Sequence, residues 1–379
     1  MRGTLTKMPR IPAFTTIGQE EKAAVLESLK HPLSGFLGGI QRSSGRFVSG
    51  LEAEWAETFG VKHAIACNSA TSGLLAACAA LGIRKGDVVW TTPFTMSATA
   101  ACAVFLGAEV RFIDIEPVRY SLDIEQLPVG TRKPKAIIVA NIFGHPAYLR
   151  RLRMWCDQNN VALIEDNAQS PFAMEDGQYT GTIGHMGVFS LNVHKHIQAG
   201  EGGVITTNVD AFAEALRGVV NHGELGSGPV GLNLRMTEPV AAIARAQLRK
   251  APSIIGGRRE LADYLTEVFS LMPWVEPSGQ DQGCHHVYYL WTARVPVRVR
   301  DRLVELLNER GVPVNCGYSK NLCQIFDPSQ KCPVTDRINN SMISFEVCAH
   351  NLLEHHRRAL RTIILQTALD MEKEHAVLR

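Results

Sequence analysis

Short, mostly apolar runs alternate with helix-like stretches through the first two-thirds of the chain. The runs at 64–67, 87–91, 109–114, 136–140, 162–165, 187–190 and 203–207 read as strands. Between them, the alanine-rich segment 71–81 and the segment 97–106 read as helices. Strands that alternate with helices predict an α/β fold with a mostly parallel sheet covered on both faces. In such sheets ligands collect beyond the carboxyl ends of strands. Thr71 and Asp166 both lie just past predicted strand ends, which suits a shared site.

From about Ala251 the texture changes. A long helix running through 258–269 is followed by a strand at 287–295 and a helix at 302–310 that stops at Gly311, a common residue just past a helix end. This predicts a large domain over 1–250 and a smaller α+β domain over 251–379. A chain of 379 residues is long enough for two such bodies. No internal repeat or low-complexity segment interrupts them.

Composition narrows the function classes. The chain is 45% hydrophobic and 20% charged, ordinary for a globular protein. Its 39 basic and 37 acidic side chains leave a formal charge of +2, with no basic footprint for nucleic acid. The run Arg150-Arg151-Leu152-Arg153 reads as a solvated helix face. Nine cysteines stand singly, with no C-x-x-C pair, which argues against a disulfide framework or zinc knuckle and for a reducing compartment. No signal-peptide core is seen at the start and no apolar stretch is long enough for a bilayer, so a cytoplasmic protein with no membrane role is expected.

Three segments carry candidate chemistry. Asn68-Ser69-Ala70-Thr71-Ser72-Gly73 joins a strand to a helix, where free backbone N–H groups and the positive helix end attract a phosphate; taken alone it reads first as an ordinary Ser/Thr helix cap. Glu165-Asp166-Asn167-Ala168-Gln169 places an acid after a strand. A carboxylate there would keep a pyridine nitrogen protonated, although an ordinary helix cap or surface acid reads the same way. Gln169 could present its amide to the same site. Lys195 stands in Ser190-Leu191-Asn192-Val193-His194-Lys195, close to the glycine turn Gly200-Glu201-Gly202-Gly203. It is either a solvated loop lysine or an amine that bonds an aldehyde cofactor and moves a proton. His194 and His196 flank it, but a lone His-x-His is weak evidence for a metal, and none is expected. Phosphate turn, acid and lysine occur in the order expected for pyridoxal 5′-phosphate (PLP), with 195 − 166 = 29 positions from acid to lysine.

With these motifs, and with Gly86-Asp87-Val88-Val89, Thr95-Met96-Ser97-Ala98-Thr99, Phe143-Gly144-His145-Pro146 and 231–238, the chain resembles the DegT/DnrJ/StrS family of PLP-dependent aminotransferases over nearly its whole length. The resemblance implies a fold-type I transferase acting on a keto acceptor such as a nucleotide-linked keto sugar, with glutamate as the expected donor. It implies Lys195 as the Schiff-base lysine, Asp166 as the pyridine-nitrogen partner, and Gln169 near the ring hydroxyl. Ala70, Thr71 and Ser190 match phosphate contacts. Asn233 matches an asparagine that reaches the phosphate of the neighbouring subunit, which implies a homodimer with shared active sites. Dehydratase relatives carry histidine where Lys195 stands, so transamination is favoured over a dehydratase or lyase, and over a non-catalytic binding module. Two departures stand out. Met96 occupies a position that is usually aromatic and stacked on the cofactor ring, leaving Met96 or Phe94 to cover it. Asn315-Cys316-Gly317-Tyr318 lacks the histidine often found before its tyrosine. The loops at 143–149 and 223–230, expected to face substrate, also look unusual for the family.

Overall fold

The computed structural model describes residues 6–12, 14–34, 45–128, 130, 132–223, 230–279, 281–318, 320–348 and 350–374. After α1 (Gln19–Ser28) and α2 (Arg46–Phe59), β1 (His63–Cys67) leads into α3 (Ala70–Ala80), and β2 (Val88–Thr91) into α4 (Ala98–Phe105) and β3 (Glu109–Phe112). Next come β4 (Ala136–Ala140), α5 (Leu149–Asn159), β5 (Ala162–Asp166), the short β6 (Met174–Glu175) and β7 (Gln178–Tyr179), then β8 (Met186–Ser190), β9 (Gly203–Thr207) and α6 (Asp210–Val220). The seven long strands form one sheet in the order β1-β9-β8-β5-β4-β2-β3. Every pairing is parallel except those of β9, which runs against both β1 and β8. The expected strands and helices of this region are all present, within a few residues of their expected limits.

The apolar runs are continuous because both faces of the sheet are covered. Ile138, Ile164 and Val188 pack with Leu74, Ala103 and Leu216 on one face. On the other, Ile137 and Leu163 pack with Leu152 and Cys156 of α5. Phe189 and Val204 face the same side against Trp55 and the first half of a long helix, α7 (Glu238–Phe269). This helix begins at Glu238, well before the stretch 258–269 expected for it, and so runs across the expected boundary near Ala251. Its first half, with Ala241, Leu248 and Ile255, packs on the large sheet, and its second half, with Leu261, Leu265 and Phe269, joins another core.

That second core is built from β10 (Glu276–Pro277), β12 (Trp291–Arg294), α8 (Val297–Glu309), β13 (Val314–Cys316), β14 (Met342–Phe345) and α11 (Glu354–Glu374), with β11 (Cys284–His285), α9 (Cys323–Phe326) and α10 (Pro333–Ser341) between them. Its sheet, ordered β10-β12-β14-β13, is antiparallel throughout. A strand over 287–295 was expected, but only Trp291–Arg294 joins a sheet. Tyr288 takes a left-handed backbone at φ +49°, and the Val287 and Tyr289 N–H groups donate to the carbonyls of Gly144 and Phe143 at 2.9 and 2.6 Å instead of to a strand. Gly144 is required there: at φ +98°, a Cβ would lie 2.7 Å from the Tyr288 nitrogen. Among the described residues, no helix is long and apolar enough to cross a membrane. Seven of the nine cysteines are buried, Cys316 is exposed and Cys348 is half-buried, and all nine are free thiols.

Candidate active site

β1 ends at Cys67 and the chain turns directly into α3. Ser69 caps the helix, its Oγ accepting the Ser72 N–H at 3.1 Å. The bland reading of this segment therefore holds for Ser69. It still leaves the first-turn N–H groups of Ala70 and Thr71 without acceptors inside the helix, so the end of α3 keeps its pull on an anion. Ala70 and Thr71 line a cavity of about 350 Å³. Gly203, at the start of β9, lets that strand pass against the turn: a Cβ there would lie 2.7 Å from the Ala70 nitrogen and 2.7 Å from the Ser69 carbonyl carbon. Ser190, at the end of β8, lines the same cavity and accepts the Asn192 N–H at 3.3 Å.

Asp166 closes β5 and is buried. Its carboxylate accepts the Thr99 hydroxyl at 2.7 Å and the Ala168 N–H at 3.2 Å. Burial pushes its ionisation up, while Thr99, Ala168 and the charge of Lys195 pull it back. Lys195 sits in a turn fixed from both sides. Its N–H donates to the Asn192 carbonyl at 2.9 Å, and its carbonyl accepts Arg258 Nη2 at 3.0 Å. Its Nζ lies 4.2 Å from the ring centroid of Tyr289. Burial pulls the Lys195 ammonium down to about 8, against the opposing charge of Asp166. Arg258 is 4% exposed, and its Nε and Nη1 have no partner among the described residues. Burial next to another cation lowers the cost of a neutral amine at Lys195.

Gln169 is held at both ends: Oε1 accepts the Phe143 N–H at 2.8 Å, and Nε2 donates to the Tyr318 hydroxyl at 2.7 Å. The 143–144 turn therefore ties Gln169 to Tyr289 through the backbone bonds already described. The 143–149 segment is not a substrate-facing loop, because Phe143, His145, Ala147 and Leu149 are all buried. Most of 223–230 lies outside the described residues. Met96 is 61% exposed and lines the cavity. Phe94 is fully buried among Tyr120, Phe143 and Tyr318, with centroids 5.8–6.2 Å away, and does not line it.

Seven of the expected residues thus border one cavity: Ala70, Thr71, Met96, Asp166, Gln169, Ser190 and Lys195. Asn233 does not. It is exposed, paired across an isolated bridge with Asn221, and outside the cavity. Of the histidines beside Lys195, His196 is buried and bonded to the Val287 carbonyl at 2.9 Å, while His194 is exposed at the cavity wall. Among the described residues, no group of three or more His, Cys, Asp or Glu gathers as a metal site. Tyr289, Tyr318, Thr99 and Arg258 carried no expected role. Tyr289 and Arg258 are remote in sequence from the motifs they meet, whereas Thr99 and Tyr318 stood inside segments already noted, without a role of their own. An anion-attracting helix start, a buried carboxylate and an amine biased towards its neutral form, all in or bordering one cavity, fit a phosphate-bearing pyridine aldehyde.

The sequence profile of the DegT/DnrJ/EryC1/StrS aminotransferase family matches residues 16–363. A UDP-N-acetyl-3-dehydro-alpha-D-glucosamine 3-aminotransferase of Acidithiobacillus ferrooxidans is 30% identical over 328 residues, 84% of this chain and 87% of that protein. A protein of Geobacillus stearothermophilus named as a pleiotropic regulatory protein is 32% identical over 306 residues, 77% of this chain and 81% of its own length. The solved aminotransferase from Psychrobacter cryohalolentis matches the fold with a TM-score of 0.86 at 26% identity, covering 96% of this chain and 100% of that one.

Proposed function

The chain belongs to the DegT/DnrJ/EryC1/StrS aminotransferase family and is a PLP-dependent aminotransferase, and from that premise we propose that it moves an amino group from glutamate to the keto group of a nucleotide-linked sugar. The observation that carries the reading is the amine of Lys195, held near Tyr289 at the edge of the cavity that Asp166 and the start of α3 also line.

When bound, PLP supplies an aldehyde that takes up the amino group and a ring that accepts electrons from the substrate carbon. The protein's residues divide the remaining work. The N–H groups of Ala70 and Thr71 and the Ser190 hydroxyl take the phosphate, with the helix end adding its positive field. Asp166 keeps the ring nitrogen protonated, its orientation fixed by Thr99 and Ala168. Gln169 faces the ring hydroxyl, its direction set by Phe143 and Tyr318. Met96 covers the ring by a sulfur contact in place of the usual aromatic. Lys195 Nζ accepts a proton from one carbon and returns it to another, a task suited to an amine poised near 8. Asn233 reaches the phosphate site of the partner subunit in a homodimer. The same reading treats 1–250 as the cofactor-holding domain and 251–379 as the smaller one, joined by α7. It sets the enzyme in the cytoplasm, which unpaired, mostly buried cysteines suit.

Glutamate added to the PLP-loaded protein should shift the cofactor's absorption, and a keto acceptor should restore it. Lys195→Ala should lose both changes. Full turnover in that variant contradicts the assignment. The Geobacillus relative's name favours one second reading, a regulatory module that keeps the fold. A purified protein that stays colourless with added PLP would support that instead.

A further inference from the structure

Arg258 is a cation that the fold has taken out of water without giving it an anion among the described residues. It lies where α7 passes from one core to the other: Ile255 packs beside the large sheet, and Leu261 belongs to the second core. The side chain is 4% exposed. Nη2 donates to the Lys195 carbonyl at 3.0 Å, while Nε and Nη1 have no partner among the described residues. Burial pulls the guanidinium down to about 10, so it still carries its charge at neutral pH. An apolar side chain of similar size would spare the fold the desolvation of a charge and of two idle donors. A group left in that state calls for a use, and its one bond shows where to look.

That bond goes to the backbone of the turn that carries the reactive amine. The Lys195 N–H donates to the Asn192 carbonyl at 2.9 Å, and the Asn192 side chain donates to Glu201 at 3.0 Å. Arg258 therefore completes the fixing of the backbone from which Lys195 reaches Tyr289. The amine itself is faced from several elements. Asp166 at the end of β5 and Cys348 beyond β14 favour its ammonium form. The Tyr289 ring, 4.2 Å from Nζ, also favours a cation. Arg258 opposes all three from α7. Of the neighbours on the turn, buried His196 is held uncharged by burial and by the charges of Arg258 and Lys195, and His194 is exposed at the cavity wall.

We propose that Arg258 is a positioning residue for Lys195: its carbonyl bond fixes the turn from which the amine projects, and its buried charge disfavours a second cation there. The amine is thus ready to react before any cofactor arrives. The inference rests on reading Lys195 as the aldehyde-bonding amine, and it adds a residue that stands outside the cavity and acts through another.

The test needs no turnover. Cofactor-free, full-length protein receives trace acetic anhydride over a range of pH, and acetylation of each lysine is read by peptide mass mapping, with exposed Lys22 as the internal reference. In the wild type the Lys195 rate should have its midpoint near about 8. Arg258→Gln, polar but uncharged, should move that midpoint up and lower the Lys195-to-Lys22 ratio at pH 7 roughly three- to tenfold. Arg258→Met, which keeps the volume alone, should move it the same way. Arg258→Lys, which keeps a cation, should hold the ratio within about twofold of the wild type. Hydrogen exchange of a peptide covering 191–199 should quicken in the Gln and Met variants, which lose the carbonyl bond. A merely structural role would quicken exchange and leave the midpoint in place, and that result overturns the proposal. So does a midpoint that falls, or a Gln variant that matches the wild type in both measurements. Should Arg258→Gln fail to fold, the Met and Lys variants decide by the same ratio. Wild-type protein that takes up no PLP defeats the parent reading instead, a result the acetylation profile does not depend on.

Discussion

Gly203→Ala adds one carbon at the point where β9 passes the start of α3. The new Cβ would lie 2.7 Å from the Ala70 nitrogen and 2.8 Å from the Ser69 carbonyl oxygen, where ordinary contact begins at 3.4 Å. These neighbours are backbone atoms and cannot rotate away, so the turn must retreat by 3.4 − 2.7 = 0.7 Å. A phosphate hydrogen bond of about 2.9 Å stretched by that amount reaches about 3.6 Å, outside bonding range. Losing one such bond to a charged group costs about 1.5–3 kcal/mol, a roughly 10- to 100-fold rise in the PLP dissociation constant. Titration of the cofactor-free protein by visible absorbance measures it directly. Gly256→Ala is the matched control. That glycine is exposed inside α7 and a Cβ there meets nothing within 4 Å, so affinity should hold and stability should rise by about 0.5–1 kcal/mol. PLP binding by Gly203→Ala with wild-type affinity would refute the placement of the phosphate at the start of α3.

Other expectations follow from the same geometry. Capture of PLP by the cofactor-free protein needs a neutral amine, and burial pulls Lys195 down to about 8, so the rate should rise with pH and level off above that value in a stopped-flow series. Asp166 is the charge that favours the ammonium form, so Asp166→Asn should move the midpoint lower; an upward shift would contradict the electrostatic account. If Met96 covers the cofactor ring, Met96→Ala would remove a sulfur contact worth about 0.3–1.5 kcal/mol and should weaken PLP binding roughly two- to tenfold, while an aromatic at 96 should not weaken it. If Asn233 serves the partner's site, mixing inactive Lys195→Ala with a phosphate-defective Asn233→Asp should restore about a quarter of wild-type activity, since half the dimers are mixed and one of their two sites is intact. Recovery no greater than the sum of the two variants would place Asn233 outside any shared site.

The sheet was legible because its strands are buried on both faces, so runs such as Ile137-Ile138-Val139 stay apolar without alternation. The reversed direction of β9 was not, because the glycine turn before it reads alike for either direction. The division of 287–295 into an irregular stretch and a short strand depends on bonds to Gly144 and Phe143, more than 140 positions upstream, and no local pattern carries such a partner. The candidate site divides in the same way. Thr71, Asp166 and Lys195 stand beside strand ends in recognisable segments, whereas Tyr289, Tyr318 and Arg258 reach the site only through tertiary packing. Phe94 shows the converse: sequence proximity made it a rival to Met96, but an aromatic cluster claims its ring.

The central claim is a covalent role for one amine, and borohydride reduction of the PLP-loaded protein, followed by proteolysis and peptide mass mapping, tests it most directly. The account predicts a phosphopyridoxyl group on Lys195 and on no other lysine in significant yield. A reduced cofactor found on a different lysine, or released without attachment, would contradict it.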